Sequence, residues 1–410
     1  MKWHTASFGT AEEITEKEAL EATITEFWQK FSAQSAAVDR AFRQQEKQNL
    51  VETISAMLQT VHPKMMWEIS RDPLPSADNL VFTVTAGDNF GLRPLSKAIV
   101  DAAPAINGWR VSEFKVPLGG YTVTSQTGIS RDYIEATGKL SETPYGCFNL
   151  TVRSKHFKKA NDPADWEDVY LICPARFGEE MFEIWLDWIL TEPEPVATRS
   201  TYNSIFGRRS RKAGETKTIQ NQSFQPLEEL VSSMNLAVAE KVDKLPAEPC
   251  WARQFASTNV IISEKPQETA RFSYTTPYPE VIMAYENRYS FHSANFTRYE
   301  EKFAYLKMVG SFSEVEDLKT RYELEEELDR QLRDRQAGCV IGGGVGTGVS
   351  FIDLMISDLP AAIHILRAEC NRVGVPETSW LLFLDTYWAD EWVGMAENSP
   401  TPPPRVKKCW

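Results

Sequence analysis

A glycine run sets the tightest constraint on this chain. From Gly338 to Gly348 the sequence reads GCVIGGGVGTG, six glycines in eleven residues. Such a run either cradles a phosphate or lets the backbone turn and approach another chain closely. A phosphate loop of the Walker type needs a lysine after its last glycine, and Gly342–Ser350 contains none. The dinucleotide fingerprint Gly-x-Gly-x-x-Gly starts at Gly344 and Gly346 but meets Val349 at its third position. Both phosphate loops also lead into a helix N-terminus. Here SFIDLMIS follows, in which Ile352, Leu354 and Ile356 alternate with Phe351, Asp353 and Met355, the period of a strand. The expected structure is a hairpin, CVIGG against VSFIDLMIS, joined by a glycine loop that binds no nucleotide and is free to touch a partner.

Periodicity organises the rest. Leu20, Ile24, Phe27, Trp28 and Phe31 share one helical face, and Leu50, Ile54, Met57, Leu58 and Val61 form a second. His62-Pro63 ends that second helix. MMWEIS and NLVFTVTAG read as strands, GLRPLSKAIVDAAPAINGW as a helix punctuated by proline and glycine, and WRVSEFKVP as a strand. YGCFNLTVRS and DVYLICP are further expected strands, and GEEMFEIWLDWIL an expected helix with Met181, Ile184, Trp185 and Trp188 on one side. TNVIIS and RFSYTT read as strands, while EVIMAYENRYSF fits helix or strand. DLKTRYELEEELDRQLRDRQAG is a helix with Leu324, Leu328 and Leu332 as its buried line and Gly338 as its cap.

Two stretches share a layout. VFTVTAGDNFGLRPLSKAIVDAAPAINGWRVSEF and FIDLMISDLPAAIHILRAECNRVGVPETSWLLFL each give a strand, a proline-initiated helix ending at glycine, and a strand opening on Trp109 or Trp380. The pattern resembles the split βαβ arrangement of ferredoxin-like domains. The expected fold is therefore α+β, two ferredoxin-like α/β sandwiches joined by a flexible region. The expected boundaries are an N-terminal domain over 1–246 with an exposed connection at 192–222, a C-terminal domain over 247–397, and a disordered, proline-rich tail over 398–410.

Composition narrows function more by exclusion. A net charge of −13 disfavours nucleic acid, whose phosphates select a basic face, and suits a basic protein partner. Arg208, Arg209, Arg211 and Lys212 form a basic patch without interleaved aromatics, so a solvated loop is the expected reading. No run reaches the roughly 18 apolar residues of a membrane span, and no signal peptide is expected. The six cysteines include no CxxC pair, which fits reduced thiols in a cytoplasm, without cofactor or metal. His4, His62, His156, His292 and His364 are too scattered for a metal site and read as surface or packing residues. Cys173 is an imaginable nucleophile, although buried cysteine is the commoner use. Asp358 reads as a helix N-cap. The stretch FLDTYWADEW combines aromatics with carboxylates, as binding surfaces do. The candidate binding residues are thus Gly344, Gly346, Asp353, Asp385, Trp388, Asp390, Glu391 and Trp392.

FWQKF, MMWEIS, LVFTVTAGD and AAPAINGWRVSEFK together resemble a group of uncharacterised bacterial proteins with an FWxWF-like N-terminal helix. Lys30 departs from that pattern, and the likeness covers about the first third of the chain. Phe27, Trp28, Phe31, Pro104, Gly108 and Trp109 carry it. The resemblance implies structural roles for these residues and no activity. The leading expectation is a non-enzymatic, cytoplasmic protein-binding protein, such as a bacterial immunity protein that neutralises a toxin. Its rivals are an enzyme whose acid/base or cysteine site assembles only in the fold, and a scaffold component of a larger assembly.

Overall fold

The long amphipathic pattern at the start folds as α1 (Ala11–Arg43) and α2 (Lys47–Val61) in the computed structural model. It describes residues 11–73, 79–87, 89–119, 122–124, 130–143, 146–194, 223–256, 258–261, 271–285, 290–310, 318–346, 348–396 and 398–403. The chain reverses between the helices at Gln45, which takes φ 61°. All ten residues of the two expected apolar faces are buried in one core. α2 stops at His62, held extended by the proline that follows. Next come β1 (Met66–Arg71), β2 (Leu80–Thr85), α3 (Arg93–Asp101) and β3 (Trp109–Ser112). β1 is antiparallel and β3 parallel to β2. Phe82 meets Phe31 at 4.4 Å between ring centroids, and Trp109 meets Phe31 at 5.4 Å. The Trp28 indole N–H donates to the Ile99 carbonyl at 2.7 Å, so the largest side chain of this core buries no unpaired donor.

The fold divides into two units, residues 1–114 with 244–410, and residues 115–243. One border falls near the expected boundary at 246/247. The other, at 114/115, divides the expected N-terminal domain. The second unit contains β4 (Thr122–Thr124), β5 (Ser130–Asp132), β6 (Thr137–Glu142), β7 (Phe148–Ser154), α4 (Trp166–Phe177), β8 (Leu186–Pro193), β9 (Gln225–Pro226) and α5 (Leu227–Asp243). β4 pairs with β5, and the remaining strands form a sheet in the order β8-β7-β6-β9.

Two expectations are reversed in this unit. DVYLICP lies inside α4 rather than in a strand, because Val169, Ile172, Cys173 and Phe177 bury one helical face. GEEMFEIWLDWIL is helical only as far as Trp185 and then becomes β8, which pairs in parallel with β7. Pairing partners override local periodicity for short apolar runs. The expected connection at 192–222 lies outside the described residues from 195 onward, and its first two residues end β8.

The C-terminal part supplies β10 (Thr258–Ile261), β11 (Arg271–Thr276), α6 (Pro279–Tyr285), β12 (Lys302–Val309), α7 (Leu318–Asp334), β13 (Gly338–Gly346), β14 (Val349–Ile356), α8 (Leu359–Val373), β15 (Ser379–Phe383) and β16 (Trp392–Gly394). They form one antiparallel sheet in the order β10-β11-β13-β14-β12-β15-β16. From β12 to β15 the elements run β-α-β-β-α-β. The N-terminal sheet carries only the β-β-α-β part of that sequence, with helices α1 and α2 ahead of it. Ile352, Leu354 and Ile356 face Leu324, Leu328, Leu332 and Leu366 of α7 and α8 in one core. Phe351 and Met355 belong to a second core with Cys250, Val281 and Phe291. A sheet covered on both faces explains why every residue of β14 is buried.

Two end-of-element expectations change as well. The left-handed residue after α7 is Gln336, at φ 56°, while Gly338 already opens β13. The start of the expected disordered tail is packed. Ser399 is buried, the Ala396 N–H donates to its Oγ at 3.0 Å, and the Trp380 indole donates to the Pro400 carbonyl at 2.6 Å. Residues 404–410 lie outside the described residues. Asp358 caps α8 as expected, accepting from the Ala361 N–H at 3.1 Å. Among the described residues no helix is long and apolar enough to cross a membrane.

Candidate functional site

The hairpin expected at the glycine run is present, but five of the six glycines are strand and only Gly348 lies in the turn. β13 continues to Gly346, which pairs with Val349. Gly344 is flanked by Tyr274 of β11 and Phe351 of β14, so neither it nor Gly346 offers a free loop to a partner. Close approach explains the composition. At Gly342, φ is +145° beside a shift in register, and a Cβ would overlap the Thr275 carbonyl of β11. At Gly343 a Cβ would collide with the Arg321 guanidinium. That buried group crosses the strand to donate to the Phe351 carbonyl at 2.9 Å and pairs with Glu325 at 3.0 Å. Asp353 is wholly buried on β14, opposite Tyr305 and Gly342.

The other five candidates stay together just beyond β15, separated from β14 by β12. Asp385 starts a short helical turn, and its carboxylate accepts from the N–H groups of Tyr387 at 3.0 Å and Ser293 at 2.8 Å. Thr386 fastens the same turn to Phe291, donating its N–H at 2.8 Å and accepting at Oγ1 at 3.0 Å. Trp388 enters the helix-side core, Trp392 the opposite core, and Glu391 is buried. Only Asp390 is exposed, and its carboxylate lies where a side chain at position 91 would project, so Gly91 makes room for it.

This segment is occupied by the chain itself. Tyr387 stacks with Phe90 at 6.2 Å and lies 6.3 Å from Phe114. The buried guanidinium of Arg93, at the start of α3, sits 4.7 Å from the Phe114 ring and 5.7 Å from the Tyr387 ring. It donates to Thr85 Oγ1 at 3.1 Å and to the Glu113 carbonyl at 2.9 Å. His292 is buried beside them, its ring 4.7 Å from that of Tyr387. Burial, reinforced by Arg93, pushes its basicity down against the opposing pull of Asp385. Sequence reading found half of this joint. Tyr387 and the carboxylates stood in a conspicuous stretch, whereas Phe90, Arg93 and Phe114 gave no signal, because they lie far from Tyr387 in sequence and meet it only in the fold.

A different surface was missed altogether. Nine of the fourteen large apolar residues exposed among the described residues belong to residues 115–243. On α4, Trp166 is 40% exposed, Tyr170 47%, and Leu171 is similarly open. With the exposed Glu167 they lie within one arc of the helix, opposite the buried Val169, Ile172 and Arg176. Tyr170 is braced edge-on by Phe182 at 5.7 Å. Trp188, 54% exposed, and Leu190 lie on β8, at the edge of its sheet. The misassigned segments hid this surface: α4 was expected as a strand, and Trp188 on a buried helical face.

Catalytic groups fare differently. Cys173 is fully buried inside α4, and burial pushes its thiol up to about 12, far from a reactive thiolate. Glu301 is buried with Arg253 at 3.4 Å and accepts from Thr297 Oγ1 at 2.5 Å and from the Cys250 N–H, an arrangement that pins the turn at Cys250. Arg333 pins the same turn, donating to the carbonyls of Trp251 at 2.9 Å and Arg253 at 2.7 Å. Among the described residues no three His, Cys, Asp or Glu side chains are grouped to hold a metal. No family model, no curated protein and no solved structure matches this chain.

Proposed function

We propose that this chain is a non-enzymatic binding protein that captures a basic protein partner through the open aromatic face of α4. The observation that carries the reading is Trp166, Tyr170 and Leu171, three large apolar side chains left in water on one side of a folded helix. Exposed clusters of this kind mark interaction sites, and Trp and Tyr dominate binding energy where they are then desolvated. Two features favour a basic partner. The net charge is −13, and the exposed charge among these aromatics is Glu167, whereas the only basic residue of α4, Arg176, is buried. A cytoplasmic immunity protein that neutralises a toxin is the specific form of this reading.

The finer fold reading belongs with it. The β-α-β-β-α-β run from β12 to β15 has the spatial order β13-β14-β12-β15 with every pair antiparallel, which supports a ferredoxin-like unit there. The β-β-α-β run near the N-terminus is its partial counterpart.

Affinity capture from cells that make the protein tests the binding reading, with the parent chain run beside a Trp166→Ser/Tyr170→Ser variant. The expected result is a basic protein retained by the parent and lost at least tenfold by the variant, with melting temperatures within a degree or two. For the immunity form, that protein expressed alone arrests growth and co-expression restores it. Equal retention by the two chains rejects the α4 face, and an acidic partner rejects the charge argument.

A further inference from the structure

We propose that His292 makes the joint between α3 and the turn after β15 sensitive to acid, so that its protonation loosens this contact while the flanking cores stay folded. Residues 11–114 close one core of their own, and the large sheet closes two others. Between them, Phe90, Arg93 and Phe114 from the N-terminal side gather on the Tyr387 ring. His292 packs on that same ring.

The geometry leaves little to stabilise a second proton on the imidazole. Its Nδ1 is buried and has no hydrogen-bond partner, so nothing is poised to accept from an added N–H there. Of the charged groups that face it, Arg93 has the same sign as an imidazolium. Asp385 has the opposite sign, but its two carboxylate oxygens already accept from Ser293 and Tyr387. Tyr387 offers its ring, already shared with Arg93.

The direction of the pH dependence follows. The lowered basicity keeps His292 neutral in the closed joint near pH 7. An opened joint exposes an imidazole that titrates near 6.5. Below that value the open state binds a proton that the closed state refuses, so the closed joint loses stability as pH falls. One proton shifts the opening equilibrium by up to about tenfold per pH unit until the closed form itself protonates.

Hydrogen exchange of the full chain at pH 7.5 and 5.5, corrected for intrinsic rates, tests this. Peptides covering Phe90–Asp101 and Thr386–Glu391 are expected to exchange several-fold to tenfold faster at pH 5.5, with β14 and α1 unchanged. In His292→Gln the difference should vanish. An unchanged joint, an equal rise throughout β14, or a pH effect that persists in His292→Gln overturns the proposal. Should His292→Gln fail to fold, NMR titration of His292 in the parent chain decides: a midpoint below 6.5 that tracks joint opening supports it, and one at or above 6.5 overturns it.

Discussion

Among the described residues, 1–114 with 244–410 turn their aromatic side chains inward apart from Tyr299 and Tyr322, and 115–243 leave Trp166, Tyr170 and Trp188 in water. In the first unit Phe27, Trp28, Phe31 and Phe82 interlock beneath α1 and α2, and strands β12 to β16 are covered on both faces. In the second, α4 buries Val169, Ile172 and Arg176 on one side while the other exposes Trp166, Tyr170 and Leu171. The same residue types therefore serve different ends. An aromatic with layers on every side contributes to stability, and one left on a single uncovered helix face is available for association.

Substitutions can break that contrast, beginning with the largest effect. Trp28→Ala should destabilise the first unit by about 3–5 kcal/mol, since it empties a full indole volume and orphans the Ile99 carbonyl. Chemical denaturation followed by far-UV circular dichroism measures it, and a loss below about 1 kcal/mol would mean that this core is not close-packed. Gly342→Ala should follow at roughly 1–3 kcal/mol or more, because β11 must retreat from the new methyl group and the backbone is held at a positive φ. Gly348→Ala is its control: φ there is also positive, +64°, but no atom lies within 4 Å of the added carbon. It should therefore be the milder of the two. Equal losses would assign the effect to backbone conformation instead of to strand approach. At the small end, Trp188→Ser should move stability by no more than about 0.5 kcal/mol, as for most exposed positions. A large loss would show that this indole is part of the second unit's core.

Legibility in the sequence followed the range of the forces involved. α1, α2 and α7 could be read because an amphipathic helix repeats its signal every turn, and Leu324, Leu328 and Leu332 point to one side whatever they pack against. The β13–β14 hairpin was visible for a similar reason, through alternation in β14. α4 and β8 were exchanged because each is a short apolar run whose period is ambiguous, and the pairing of β8 with β7, some forty residues earlier, settled the matter.

What the sequence by itself determined is local: the apolar faces of α1, α2 and α7, the alternation of β14, and the cap at Asp358. Tertiary structure decided the rest. It showed that Gly342 and Gly343 admit β11 and Arg321, that Asp385–Trp392 is engaged by Phe90, Arg93 and His292, and that Trp166 and Tyr170 are open. The physical reason is common to all three. Burial and close approach depend on residues far apart in the chain, and local periodicity carries no information about which distant element arrives to cover a face.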